Sequence, residues 1–176
     1  MKSRFLVVSA FVLALDQWTK LWIEASLEVH GRLPVVPGFF NLVHVQNTGI
    51  AFGLFPAGGE FAGTLLLTAL GFAALIVVSL YFRSTSEREP LLLLSLALVL
   101  GGAVGNLVDR ILLRAVTDFL DVYIGTHHWP AFNVADSGVT VGIVLMLAHS
   151  FGPQLRRRSS AGRAQRRGLV HARTSK

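Results

Sequence analysis

FAGTLLLTALGFAALIVVSLYF, residues 61–82, is 22 residues long and carries no charge. A bilayer's hydrocarbon core is crossed by roughly 20 apolar residues rising about 1.5 Å each, so this run is long enough to span it as one helix. Glu60 and Arg83 close it on either side. Further out, Pro90–Val108 and Ser137–Leu155 each give 19 uncharged residues and read the same way. Phe5–Ile23 is equally long but contains Asp16, Gln17 and Lys20. Composition agrees with four spans: 52% of the 176 residues are apolar and 15% are charged, against roughly 25% charged in a soluble domain. Too little polar sequence is left to clothe four such helices in water. The apolar fraction excludes a disordered chain. The absence of cysteine excludes a disulfide scaffold, a thiol nucleophile and a thiolate metal site.

Lys2 and Arg4 ahead of eleven apolar or small residues to Leu15 also fit a secretion signal, with Val12-Leu13-Ala14 as a cleavage-like triplet. Trp18, Leu21, Trp22 and Ile23 carry the apolar character past that point, with tryptophan where an interfacial belt would sit. The segment therefore reads as a retained span. The basic residues then orient the chain. Lys2 and Arg4, Arg83 and Arg88, and the C-terminal tail lie on one side, leaving only Arg32, Arg110 and Arg114 on the other. The positive-inside rule puts both termini in the cytoplasm and the loops 24–60 and 109–136 outside.

The net charge of +6 belongs to the tail. Residues 152–176 hold eight of the sixteen Lys and Arg and no acid, so the rest of the chain, with eight basic and ten acidic residues, is mildly acidic. A membrane domain over 1–155 followed by a disordered basic tail over 156–176 is the expected organisation. The tail suits anionic lipid headgroups, at about 1 kcal/mol per basic residue. Nucleic acid is not the expected partner.

With this orientation the polar residues of the spans gather at one end. Asp16 lies about 17 Å along helix one from Phe5, past the midplane. Asn106, Asp109 and Arg110 end helix three, Asn133 and Asp136 open helix four, and Asn47, Asp118 and Asp121 lie in the outer loops. An ionisable residue at membrane depth costs roughly 2.5–3.5 kcal/mol on insertion scales, so such a gathering reads as a functional site. In GNLVDR, 105–110, Asn106 shares a helix face with Asp109 and Arg110, where Arg110 can neutralise a carboxylate. Asp109-Arg110 also suits a plain interfacial anchor, and Asn47-Thr48-Gly49 a plain turn. Asn133 is placed to cap helix four. Gly101 and Gly105 form a small-xxx-small pair for close helix packing.

Ser137 has no base near it in sequence, and adjacent His127 and His128 diverge rather than sharing a face as zinc ligands do. No metal or cofactor is expected. Asp118 and Asp136 bracket a short loop ending Trp129-Pro130-Ala131-Phe132. Brought together, two carboxyls cannot both ionise, and the pair then supplies a general base for water and a general acid for an amide.

Five runs now resemble one family, the lipoprotein signal peptidases or signal peptidase II, bacterial intramembrane aspartyl proteases. They are Asp16 with Lys20, NTGIAFG at 47–53, GNLVDR at 105–110, VTDF at 116–119 and FNVAD at 132–136. They occur in the family's order between about residues 5 and 150. Two features depart from it: Ile50 replaces a smaller residue, and the basic tail matches no motif. The resemblance implies that Asp118 and Asp136 are catalytic, that Asn47, Gly49, Asn106, Asp109, Arg110 and Asn133 orient substrate and dyad, and that Asp16 and Lys20 support them. It implies an α-helical polytopic fold of four transmembrane helices with a small extracytoplasmic β-sheet cradle and a short outer helix. Residues 32–53 suit the cradle, with strand-like Phe39-Phe40, Leu42, Val43 and Val45 between Pro37-Gly38 and Asn47-Gly49. The implied substrate is a diacylglyceryl-modified prolipoprotein, cut before its lipidated Cys at the outer face of the bacterial inner membrane. A small proton-coupled membrane carrier would also place Asp and Arg in a bilayer. Carriers commonly show repeats and broken helices near the midplane, and neither is visible here.

Overall fold

The uncharged runs become helices because, in a bilayer, a helix satisfies every backbone N–H and C=O within its own segment. The computed structural model describes residues 2–49 and 59–151, with side chains from 63 onward in the second stretch. Within it, α1 (Ser3–Ser26), α2 (Gly59–Ser84), α3 (Pro90–Leu112) and α4 (Val134–Phe151) carry the expected spans. All four are long and apolar enough to cross a membrane. α1, α2 and α3 run past the uncharged stretches because a helical hydrogen-bond ladder does not stop at the first charge. Residues 152–155 of the expected fourth span and the tail 156–176 lie outside the described residues. Pro90 opens α3, where its missing N–H leaves no bond unmade. Lys2 Nζ donates to the Arg83 carbonyl at 2.6 Å, closing the C-terminal end of α2.

α3 is the central helix. Of its apolar window 56% is buried inside the protein, against 6% for α2 and 17% for α4. Between helices in lipid no hydrophobic gain separates partner from solvent, so close approach depends on small residues. A Cβ at Gly101 would lie 2.6 Å from the Ser9 carbonyl, and one at Gly105 would lie 2.6 Å from Asp16 Oδ2. Both expected glycines therefore admit α1. Ser9 Oγ adds a bond to the Ala97 carbonyl at 2.7 Å. At the other end Phe5, Phe82, Leu92, Leu93, Leu96 and Leu100 form the apolar core.

A four-stranded antiparallel sheet lies at the polar end, in the order β1 (Arg32–Val36), β2 (Phe40–Asn47), β3 (Val116–Ile124), β4 (His127–His128). β1 and β2 fall in the segment expected to form the cradle. β3 and β4 do not, since 109–136 reads from sequence as a connection. The signal for β3 was present: Val116, Thr117, Phe119, Val122, Tyr123 and Ile124 are β-branched or aromatic. The β2–β3 register sets Val45 opposite Asp118 and Asn41 opposite Asp121, with an irregularity between Leu42 and Val45. The sheet thereby staples the α1–α2 loop to the α3–α4 connection. The short outer helix implied by the resemblance has no counterpart among the described residues, and Ile50, with the rest of 50–58, lies outside them.

Candidate active site

Asn133 precedes the first residue of α4, and its side chain does what a helix start requires. Its Oδ1 accepts the Asp136 N–H at 2.9 Å, while Asp136 Oδ2 accepts the Asn133 N–H at 3.2 Å. This reciprocal capping box fixes Asp136 in the first turn, where the helix dipole favours negative charge. Asn133 Nδ2 points the other way and donates to Asp118 Oδ1 at 2.7 Å. One fully buried asparagine therefore holds both carboxyls.

Asp118 comes from β3, and the sheet supplies its second partner: Asn47 Nδ2, from the end of β2, donates to Asp118 Oδ2 at 2.8 Å. Asn47 Oδ1 accepts the Gly49 N–H at 2.8 Å, and Gly49 takes φ +77°, where glycine is at ease. The turn and the site are one device. Burial pushes the Asp118 carboxyl up to about 6; the nearby Asp136 charge acts in the same direction, and the Asn47 and Asn133 bonds oppose it. Asp118 thus holds a proton at a pH where an exposed carboxyl has lost it.

Asp136 has its own orienting group. Asn106 Nδ2 donates to Asp136 Oδ1 at 2.7 Å. The Asn106 amide cannot turn over, because its Oδ1 faces two donors, Lys20 Nζ at 3.1 Å and Asn133 Nδ2 at 3.2 Å. Lys20 is buried between two carboxylates, Asp16 Oδ2 and Asp109 Oδ2, each at 2.8 Å. Asp109 Oδ2 also accepts the Thr117 N–H at 3.2 Å, tying α3 to the residue before Asp118. The neutralising role that spacing suggested for Arg110 belongs to Lys20. Arg110 makes one long bond, Nη1 to the Asn106 carbonyl at 3.4 Å, and no ion pair among the described residues. The reason is geometric: Lys20 lies one turn from Asp16 on α1 and reaches Asp109 across the glycine-lined crossing with α3.

Gln17 and Thr117 also belong to this network. Gln17 Nε2 donates to Asp109 Oδ1 at 2.9 Å, and Thr117 Oγ1 to Glu24 Oε1 at 2.7 Å. Their sole hints in sequence were adjacency to Asp16 and Asp118. A cavity of about 420 Å³ opens beside Asp136, lined by Trp129, Phe132, Ser137, Thr140 and Val141. Among the described residues no three His, Asp or Glu side chains form a metal-holding group.

Two oriented carboxyls, one of them raised to about 6 by burial, beside an apolar cavity at the polar end of four spans suit acid–base hydrolysis at a membrane boundary. Residues 8–152 match the family model described as signal peptidase (SPase) II. The chain belongs to the signal peptidase II family. It is 45% identical over 147 residues to the lipoprotein signal peptidase of Desulforapulum autotrophicum, covering 83% of this chain and 90% of that protein. The lipoprotein signal peptidase of Syntrophus aciditrophicus is 41% identical over 143 residues, covering 81% and 89%. A solved bacterial membrane enzyme, determined by the in meso method at 2.3 Å resolution, superposes with a TM-score of 0.70 at 28% identity, covering 90% of this chain and 91% of that one. All five runs that resembled signal peptidase II fall inside the matched residues, and the chain is a multi-span membrane protein.

Proposed function

We propose that this chain is an intramembrane aspartyl endopeptidase that removes signal peptides from diacylglyceryl-modified prolipoproteins, cutting before the lipidated Cys. The observation that carries this reading is Asn133 bonded to both Asp118 and Asp136, with burial keeping Asp118 protonated up to about pH 6. Asp136, accepting hydrogen bonds on both oxygens, is the base. It takes a proton from water as the oxygen attacks the scissile carbonyl. Asp118 gives its proton as the tetrahedral intermediate forms, and the proton on Asp136 passes to the leaving amine as the C–N bond breaks. As the C=O re-forms, Asp118 takes a proton back from a hydroxyl of the intermediate, so that water is consumed and the carboxyls return to one shared proton. Asn106, Asn133 and Asn47 hold the pair in position, while Arg110, which has no ion pair among the described residues, is left to meet polar groups of the substrate. Gly49 keeps the Asn47 turn, and Asp16, Lys20 and Asp109 support the whole.

Charge placement supports a bacterial cytoplasmic membrane location with both termini inside and this site near the outer face. A lipid-anchored Cys would hold the scissile bond at that same depth. The seven Arg and one Lys of 156–176 suit anionic headgroups, and no nucleic acid is required. The test is cleavage of a lipid-modified precursor peptide by the purified protein in detergent. A new product ending just before the lipidated Cys is expected. An intact precursor would favour the carrier reading, which uses the same Asp and Arg groups without hydrolysis.

A further inference from the structure

Asp121 is buried on β3 but takes no part in the network around Asp118. It ties three strands together. Asn41 Nδ2 on β2 donates to its Oδ2 at 2.7 Å, and His128 Nδ1 on β4 lies 2.7 Å from its Oδ1. Burial alone would raise this carboxyl, yet the bonds from His128 and Asn41 outweigh burial and hold it below the usual range. The His128 ring is fixed on a second side, stacked on Tyr123 with centroids 4.7 Å apart and planes at 9°. Tyr123 is itself held, since its hydroxyl accepts the Gly38 N–H at 2.8 Å. A β4 strand of two residues would hardly persist on its ladder alone. These side chains are what keep it in place.

The next residue is Trp129. Its backbone N–H donates to the Val122 carbonyl at 2.8 Å, while the residue is 69% exposed. Trp129 lines the cavity that contains Asp136. It also lines a second one, of about 270 Å³, on the His127 and His128 side of the hairpin. The indole is therefore a partition, and its position depends on the strand behind it. A cavity whose wall includes the proposed base receives groups bonded close to the scissile peptide.

We propose that the Asp121–His128 pair is a positioning device that sets Trp129 as the wall of the substrate cavity, and that Trp129 selects the alkyl group carried next to the scissile bond. This rests on the peptidase reading above. That alkyl group has two sources in the precursor: the lipid on the Cys and the aliphatic side chain before it.

The experiment uses the full-length enzyme in detergent and a diacylglyceryl-modified precursor peptide. Cleavage by the wild type tests the peptidase reading; the variants test the wall alone. Since His128 and Trp129 stand at the surface, His128→Ala and Trp129→Ala should fold. Each is expected to raise KM about tenfold, the effect of a spoiled apolar pocket. Because the loss is in binding common to ground and transition state, kcat should stay within about twofold. The double variant should be no worse than Trp129→Ala, because the pair acts through the indole. His128→Gln, which keeps a donor toward Asp121, should recover most of the affinity. Equal loss of kcat with unchanged KM, or additive effects of the two variants, would overturn the proposal. Two substrate arms follow: shorter acyl chains, or alanine for the aliphatic residue before the Cys. The arm whose effect vanishes in Trp129→Ala identifies the selected group. Full persistence of both effects overturns the assignment.

Discussion

Asp16 on α1 accepts the backbone N–H of Ala135 on α4 at 2.8 Å, across 119 residues of chain. Ala135 adjoins Asp136, and a helix start leaves its first amides without partners in the helix. The carboxylate of the first helix therefore completes the N-terminus of the last, while its second oxygen holds Lys20 at 2.8 Å.

Asp16→Asn keeps an acceptor for Ala135 and loses only the charge toward Lys20, whereas Asp16→Ala loses both. Turnover should fall in the order wild type, Asn, Ala, with Asp16→Asn less impaired than Asn variants of the proposed dyad. An inactive Asp16→Asn beside an active Asp118→Asn would move the catalytic assignment to α1.

Asp118→Asn and Asp136→Asn preserve shape but remove proton exchange. Each should lower turnover by on the order of 10²–10⁴ or more, the range of acid–base groups. The double variant should be little worse than either, since the two act as a unit. Binding of the lipidated peptide should survive in all three.

The raised Asp118 pKa also has a sign for stability. The carboxyl titrates at about 6 in the fold against an ordinary 3.8, so the fold favours its protonated form. The stabilisation is complete below 3.8 and is lost as pH rises through about 6. Its size is at most about 3 kcal/mol, from two units at roughly 1.4 kcal/mol each. Melting in detergent should show the wild type losing stability between about pH 4 and pH 7, the window set by 3.8 and about 6, relative to Asp118→Asn, whose amide does not titrate. Activity should fall over the upper part of the same window as the acid loses its proton.

Lys20→Met leaves Asp16 and Asp109 facing each other without a cation and removes one of the two donors that fix the Asn106 amide. Removing one partner of a buried ion pair costs about 3–5 kcal/mol, so thermal stability should drop sharply. Lys20→Arg, measured beside it, should restore the charge but not the fit between two carboxylates and Asn106 Oδ1. Turnover below wild type with most of the stability recovered would separate orientation from folding. Full activity in Lys20→Met would refute the orienting role.

The four spans, their lengths and the gathering of polar residues at one end could be read directly from the chain, because bilayer thickness and charge placement act on local stretches. Asn133 as a cap was legible for the same reason: its partner Asp136 is three residues away. The five family runs likewise contained Asp16, Lys20, Asn47, Asn106, Asp109, Asp118, Asn133 and Asp136, but not Gln17 or Glu24, which join the same network. What holds those residues together was decided by tertiary structure. That Lys20 rather than Arg110 sits between Asp16 and Asp109 depends on the α1–α3 crossing at Gly101 and Gly105. That Asn47 reaches Asp118 depends on a strand register between segments 71 residues apart, shifted by the irregularity between Leu42 and Val45. Asp121 and His128, seven residues apart and with no spacing that pairs them in the chain, become a clamp only when three strands bring Asn41 and Tyr123 beside them. Hydrophobic length is additive along the sequence, whereas hydrogen-bond partners are chosen by backbone approaches that no single segment contains.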